Sequence, residues 1–233
     1  MLLTRPVLDI SVATPRARII HVDLQGTPFP FSPGQAVWLG AHGQDVRKPY
    51  SIASSPEEVA QEGRLELLVG VDAHGEPGAH LPLTAGSLVD IDGPIGRFTF
   101  PDAPAESRFL FIAGGTGISP LRSMLRHALT VPHDAIGLMY SARLPEEFAY
   151  AEEFQALADA GTLELRMTVT RDAAPGEWRG TRGRITSDDL RPLVHDGRTL
   201  CFVCGPPSLV HEMPKVLQSL GVPRDCVRVE EWG

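Results

Sequence analysis

The chain has 233 residues, 42% of them hydrophobic and 21% charged, with a formal net charge of −8. That length suits one large domain or two ordinary ones, and the composition is globular. The acidic balance, 7 basic against 11 acidic side chains in residues 1–100 and 14 against 18 in residues 101–233, speaks against a nucleic-acid binder, which needs a basic face. No run approaches the roughly 20 apolar residues of a membrane helix.

Met1 to Ile10 already carries Arg5 and Asp9 and reads as a first strand, not a secretory leader, so a cytoplasmic location is expected. Short strands follow at Val7–Thr14, Ala17–Leu24, Ala36–Gly40, Tyr50–Ala53, Arg64–Val71 and Leu88–Asp92. Turn residues break them: Pro15, the run from Pro28 to Gly34, His42-Gly43, the segment from Ala73 to Pro82, and Gly93-Pro94. Arg64-Leu65-Glu66-Leu67 and Leu88-Val89-Asp90-Ile91-Asp92 alternate with period two, as half-buried strands do. No segment here offers a helix of ten or more residues. Short strands with Gly and Pro turns predict a small antiparallel barrel.

One segment of this half carries chemistry. Arg47-Lys48-Pro49-Tyr50-Ser51-Ile52-Ala53-Ser54 places a cation, an aromatic ring and a hydroxyl at one strand start. They would suit a phosphate, a flat ring and a ring nitrogen. The alternative is a strand edge with a surface lysine and a core tyrosine.

Pro101-Asp102-Ala103-Pro104 reads as a linker, giving domains at 1–102 and 103–233. Beyond it the pattern alternates strand with helix. Phe109-Leu110-Phe111-Ile112-Ala113 is a continuous apolar run, as a strand buried on both faces should be. Leu121, Met124, Leu125, Ala128 and Leu129 then fall on one helical face. Further strands are expected at Ala135–Tyr140, Leu163–Val169, Thr199–Cys204 and Cys226–Glu230, with helices at about 146–159, 187–194 and 207–220. This is the pattern of a parallel, doubly wound sheet.

Between the first strand and helix of this half stands Gly114-Gly115-Thr116-Gly117-Ile118-Ser119-Pro120. Glycines there let backbone N–H groups approach an anion, and the helix N-terminus adds unpaired donors and a positive dipole end. Pro120 suits a first helical turn. A diphosphate is the ligand this implies; a tight turn that binds nothing is the alternative. The segment is neither G-x-G-x-x-G nor a Walker loop. Cys201-Phe202-Val203-Cys204-Gly205-Pro206-Pro207 invites a zinc or redox reading, but residues three apart on a strand face opposite ways and no second Cys/His pair completes a site. Cys204, at a strand end, sits where open α/β sheets bind ligands. Three cysteines in all are too few for a disulfide framework or a plant-type iron–sulfur cluster.

These residues, in this order, resemble the ferredoxin–NADP reductase superfamily across essentially the whole chain. Phe31-Ser32-Pro33-Gly34-Gln35 looks like its PGQ turn, Lys48-Pro49-Tyr50-Ser51 its R-x-Y-S flavin motif, and Gly93-Pro94-Ile95-Gly96-Arg97-Phe98 its GPxGxF barrel end. Gly114 to Pro120 matches its GGTGxxP loop, Cys204-Gly205-Pro206 its CGP, and Glu230-Glu231-Trp232 its acidic-x-aromatic ending. The resemblance implies a six-stranded antiparallel Greek-key β-barrel that binds FAD, then a Rossmann-like α/β domain that binds NADP or NAD. Hydride would pass from nicotinamide to flavin, and electrons on to a separate acceptor such as ferredoxin or flavodoxin. A reductase component of a multi-component oxygenase, or a non-catalytic electron-transfer subunit, are the alternatives.

Carried over, the resemblance puts Ser51, Cys204 and Glu230 at the reacting centre. Lys48, Pro49, Tyr50, Val69, Val71, Gly75, Gly78, Ala79 and Trp232 are expected around the flavin. Gly114, Gly115, Thr116, Gly117, Pro120, Gly205 and Pro206 would hold the dinucleotide. Ser141, Arg143 and Arg171 would meet its adenosine ribose, the two arginines favouring NADPH; pairing of Arg143 with Glu146 or Glu147 is the competing reading. Two positions depart from the family pattern. Lys48 replaces an arginine, losing bidentate geometry, and Gly78 stands where a serine or threonine hydroxyl is usual. Both bear on how tightly FAD is held and leave FMN open. With the chain ending at Gly233 and no haem or iron–sulfur domain fused, the acceptor is expected to be another molecule.

Overall fold

The computed structural model describes residues 1–72, 74–78, 80–81, 84–171, 178–195 and 198–231. They form two units, residues 1–100 with 122–127, and residues 101–121 with 128–233.

The first unit contains β1 (Leu2–Thr14), β2 (Ala17–Asp23), β3 (Ala36–Ala41), β4 (Lys48–Ser51), β5 (Arg64–Gly70) and β6 (Leu88–Ile95). Their order is β4-β3-β6-β1-β2-β5, antiparallel throughout. The two ends meet: Ile52, just past β4, bridges Leu67 of β5, and the Ala53 amide donates to the Glu66 carbonyl at 2.9 Å. The sheet therefore closes on itself through this bridge, just beyond the end of β4. Alternate residues point inward, so Ile20, Val22, Val37, Leu39, Leu65, Leu67, Val69, Val89 and Ile91 make one core. Each such side chain contributes about 1.5–3 kcal/mol relative to exposure. β1 starts earlier than its alternation suggests. Its first half pairs with β6 and its second with β2, with a register shift between Val7 and Asp9.

A seven-residue helix, α1 (Pro56–Glu62), follows β4. Ser55 caps it by accepting from the Glu58 amide, while the Glu58 carboxylate accepts from the Ser55 amide. This reciprocal pair satisfies two otherwise orphaned donors. Ser55-Pro56-Glu57-Glu58 is a local signature of such a box. Glu58 also meets Arg122 and Arg126 of α2 (Ile118–Ala128). Arg122 is almost fully buried and donates to the Ala53 carbonyl at 2.9 Å, and Ser123 donates to that of Ser54 at 2.8 Å.

In the second unit β7 (Arg108–Gly114), β8 (Ala135–Ala142), β9 (Glu164–Val169), β10 (Thr181–Arg182), β11 (Thr199–Gly205) and β12 (Val227–Glu231) form a parallel sheet ordered β10-β9-β8-β7-β11-β12. β7 is buried along its length apart from its first residue, as its apolar run predicts. The chain winds outward from β7 through β8 to β10, then returns to lay β11 and β12 on the other side. The strand order thus reverses between β7 and β11. Such a reversal opens a crevice at the strands' C-terminal ends, where open α/β sheets take ligands.

The remaining helices are α3 (Ala151–Asp159), α4 (Ser187–Leu190) and α5 (Pro207–Ser219). α3 begins five residues later than the expected 146. Pro145–Glu147 closes a separate 3-10 turn, and Tyr150, at φ 60°, takes a left-handed conformation that α3 cannot extend through. α4 stops at Leu190, short of the expected 194. The two-residue β10 has no period for a sequence reading to detect.

Candidate cofactor sites

At the reversal of strand order, β7 ends in Gly114, Gly115–Gly117 make a 3-10 turn, and α2 starts at Ile118. The glycines there have different tasks. A Cβ on Gly117 would lie 2.4 Å from the Cys204 carbonyl oxygen, and one on Gly114 would strike Pro206 and Leu209. These two let the turn pack against the end of β11. Gly115 instead has φ 56°, is exposed with Thr116, and a Cβ on it would meet nothing within 4 Å. The open side of the turn is therefore at Gly115 and Thr116, ahead of the helix N-terminus. A φ-positive residue in open space just before a helix N-terminus suits a diphosphate. Pro120 is buried in the first turn of α2.

Tyr140 holds this turn from behind. Its wholly buried phenol donates to the Gly115 carbonyl at 3.1 Å and accepts from the Ala149 amide at 3.2 Å. Burial pushes its pKa upward, so the hydroxyl stays a donor.

Cys204 is fully buried beside Glu230, its register partner on β12. Burial first, and the Glu230 charge second, raise its thiol pKa. It is therefore a neutral thiol and a poor nucleophile at ordinary pH. Gly205, at φ 154°, approaches Gly114 within 3.0 Å of where a side chain would begin, and Pro206 caps α5. Cys201 lies in the core of the sheet. Among the described residues no group of three His, Cys, Asp or Glu side chains could hold a metal ion.

Ser141, half-buried, stands one residue before the end of β8, with Arg143 exposed two residues on. The Arg171 amide donates to the Arg143 carbonyl at 2.9 Å, so two exposed arginines leave the same end of the sheet. Among the described residues Arg143 forms no ion pair with Glu146 or Glu147.

On the barrel unit, Lys48 is exposed at the start of β4, Pro49 and Tyr50 are half-buried, and Ser51 is buried. Arg47 is committed elsewhere: its guanidinium meets the buried Asp90 carboxylate at 3.3 Å. Of these two neighbouring cations, Lys48 forms no ion pair among the described residues. Tyr50 is hydrogen-bonded through its hydroxyl to Nε2 of His80 at 2.7 Å, the two rings 9° from parallel. Burial pushes the Tyr50 pKa up to about 12. Gly75 and Gly78 both have positive φ, and the Asp72 carboxylate accepts from the amides of His74 and Glu76. The Val69 side chain lies in the barrel core and Val71 is buried with its amide on the Arg16 carbonyl; only the backbone of Val69 is left to face a ligand. Ala79 and Trp232, both expected at the flavin, lie outside the described residues.

An exposed cation, a half-buried aromatic ring and a buried hydroxyl along one strand fit a flavin nucleotide, and the open turn after β7 fits a dinucleotide. Sequence reasoning missed His80, Tyr140 and Asp90. His80 stands two residues beyond Gly78, where the family pattern concerns a hydroxyl and gives a histidine no mark.

Family models agree with this division. The oxidoreductase FAD-binding domain matches residues 8–100 and the oxidoreductase NAD-binding domain residues 111–215. Ferredoxin–NADP reductase B of Sorangium cellulosum is 35% identical over 89% of this chain and 87% of its own length. Oxidoreductase NAD-binding domain-containing protein 1 of Danio rerio is 31% identical over 97% and 90%. Among solved structures, an Amycolatopsis cytochrome P450 reductase superposes with TM-score 0.82 at 26% identity, over 99% of this chain and 69% of that one. A ferredoxin NADP+ reductase from Neisseria gonorrhoeae with bound FAD and NADP shares the fold, with TM-score 0.80 at 19% identity over 99% and 98%. The chain belongs to the ferredoxin–NADP reductase superfamily and is an FAD- and NAD(P)-dependent oxidoreductase.

Proposed function

We propose that this protein oxidises NADPH with FAD and passes the electrons to a separate protein acceptor of the ferredoxin or flavodoxin kind. On this reading FAD sits on residues 1–102 and the dinucleotide on residues 103–233. The observation that carries the NADPH choice is the pair of exposed arginines, Arg143 and Arg171, joined backbone to backbone at the end of β8 and β9. A 2′-phosphate is a dianion, and two guanidiniums without carboxylate partners among the described residues suit it where a 2′-hydroxyl would call for an acid.

FAD, when bound, takes two electrons from a reduced nicotinamide and releases them singly. The chain's own residues prepare for that. Lys48 offsets phosphate charge. Tyr50 presents its ring with the phenol protonated, and Ser51 offers a hydroxyl from a buried position. Cys204, a neutral thiol, borders the nicotinamide without competing as a nucleophile, and Glu230 beside it positions the ring. Gly114, Gly117, Gly205 and Pro206 shape the crevice, while Gly115, Thr116 and the first turn of α2, with Pro120, face the diphosphate. An oxygenase-reductase role is the second reading, favoured by the likeness to the P450 reductase.

Anaerobic mixing tests the proposal. NADPH should bleach the flavin absorbance with a lower KM than NADH. Arg143→Ala should raise the KM for NADPH about tenfold or more, since a charge-assisted contact is worth about 1.5–3 kcal/mol, and leave that for NADH nearly unchanged. A wild-type preference for NADH would overturn the coenzyme assignment.

A further inference from the structure

His80 is almost fully buried, with 4% of its surface exposed, although it lies in a turn. Burial of an imidazole asks for a partner at a ring nitrogen that loses water. Nε2 has one, the Tyr50 hydroxyl at 2.7 Å. Nδ1 forms no hydrogen bond among the described residues. Its edge of the ring faces Gly78, where a Cβ would stand 3.4 Å from Nδ1 and 3.8 Å from Cε1. Glycine at 78, with φ 98°, keeps that edge clear.

The protonation state follows from the surroundings. Burial, then the positive charge of Lys48, holds the His80 pKa below its usual value, so the ring is neutral and carries a single N–H. The Tyr50 phenol keeps its proton and can donate to Nε2. That places the imidazole proton on Nδ1, in reach of the Lys48 field and over the space that Gly78 leaves. A neutral donor beside a cation, with a clear approach, is suited to an anion.

We propose that His80 is an FAD-binding residue: with Nε2 fixed by Tyr50, its Nδ1–H donates to the FAD diphosphate alongside Lys48, in place of a side-chain hydroxyl at position 78. This rests on the placement of FAD against β4. Gly78 and His80 then form one exchange, in which the small residue makes room for the larger donor two positions on.

Titration of the apoprotein with FAD and with riboflavin, which lacks phosphate, separates the contributions. Asparagine can place an amide N–H near Nδ1, and glutamine near Nε2. His80→Phe and His80→Gln should weaken FAD about tenfold, the loss of one hydrogen bond to a charged group. His80→Asn should stay within about threefold, and riboflavin affinity should be nearly constant across the set. Thermal melting of the apoproteins checks folding; should His80→Phe fail to fold, the Asn and Gln pair still decides the matter. Equal weakening of FAD and riboflavin, or FAD binding by His80→Gln as tight as by His80→Asn, would overturn the proposal. If Lys48→Ala weakens FAD while His80→Phe does not, His80 alone is excluded. If neither has any effect, the placement of FAD against β4 fails too.

Discussion

Asp90 stands on the outward face of β6, between the core residues Val89 and Ile91, yet it is only 6% exposed. Thr4 donates to its Oδ1 at 2.7 Å, His42 Nδ1 lies 2.9 Å from the same oxygen, and Arg47 reaches Oδ2. The Thr4 hydrogen bond, with His42 and Arg47, lowers the Asp90 pKa to about 2. Because the folded value lies below the unfolded one, the carboxylate stabilises the fold above about pH 4, and that contribution disappears as pH falls towards 2. Its size is about 2 kcal/mol. Asp90→Asn should therefore flatten this acid limb: urea unfolding at about pH 5 and about pH 2 should show the wild type losing about 2 kcal/mol more than the variant. Equal losses would mean that Asp90 is not held as a carboxylate. None of this was legible from Leu88-Val89-Asp90-Ile91-Asp92, whose alternation marks Asp90 as outward and solvated. What buries it comes from Thr4, His42 and Arg47, distant in sequence.

At the scale of elements, the turn after β7 shows both the reach and the limit of a motif. The sequence placed the glycine run between a buried strand and a helix, and both are there. It treated Gly117 as a position for ligand approach, whereas the Cys204 carbonyl occupies the space a side chain would need. A run of glycines does not say which one packs and which one opens; only the return of β11 beside β7 decides. Gly117→Val should thus cost roughly 2–3 kcal/mol by overpacking, lowering Tm by roughly 5–10 °C. Gly115→Ala has room, and pays about 1 kcal/mol for its left-handed φ, or roughly 2–4 °C. Its main effect should be a several-fold rise in the KM for NAD(P)H with FAD content unchanged. Melting curves and coenzyme titrations check the contrast, and a Gly117→Val protein as stable as Gly115→Ala would contradict it. α1 was equally visible in principle, since its capping box is local. The closure of the barrel through Ile52 and Leu67 was not, because strand pairing across distant sequence leaves no local mark.

For the molecule as a whole, the net charge of −8 makes a prediction that does not depend on knowing the acceptor. No helix among the described residues is long and apolar enough to cross a membrane, and the charge is spread over both units, so its far field reaches an approaching partner before any local contact. The Debye length falls from about 30 Å at 0.01 M salt to about 10 Å at 0.1 M. Over that range a repelled partner should be admitted and an attracted one released. Ferricyanide, a trianion, should be reduced faster as salt rises, and a basic acceptor such as cytochrome c more slowly, each by about threefold or more. A natural acceptor with an acidic surface would follow ferricyanide unless arginines local to the docking face reverse the field; 19 of the 21 basic residues are arginine, so such a patch has material to draw on. Steady-state reduction of the two acceptors at matched NADPH, across that salt range, reads the sign directly. If ferricyanide slows and cytochrome c quickens, the face from which electrons leave is locally positive, and an acidic protein acceptor becomes the better match.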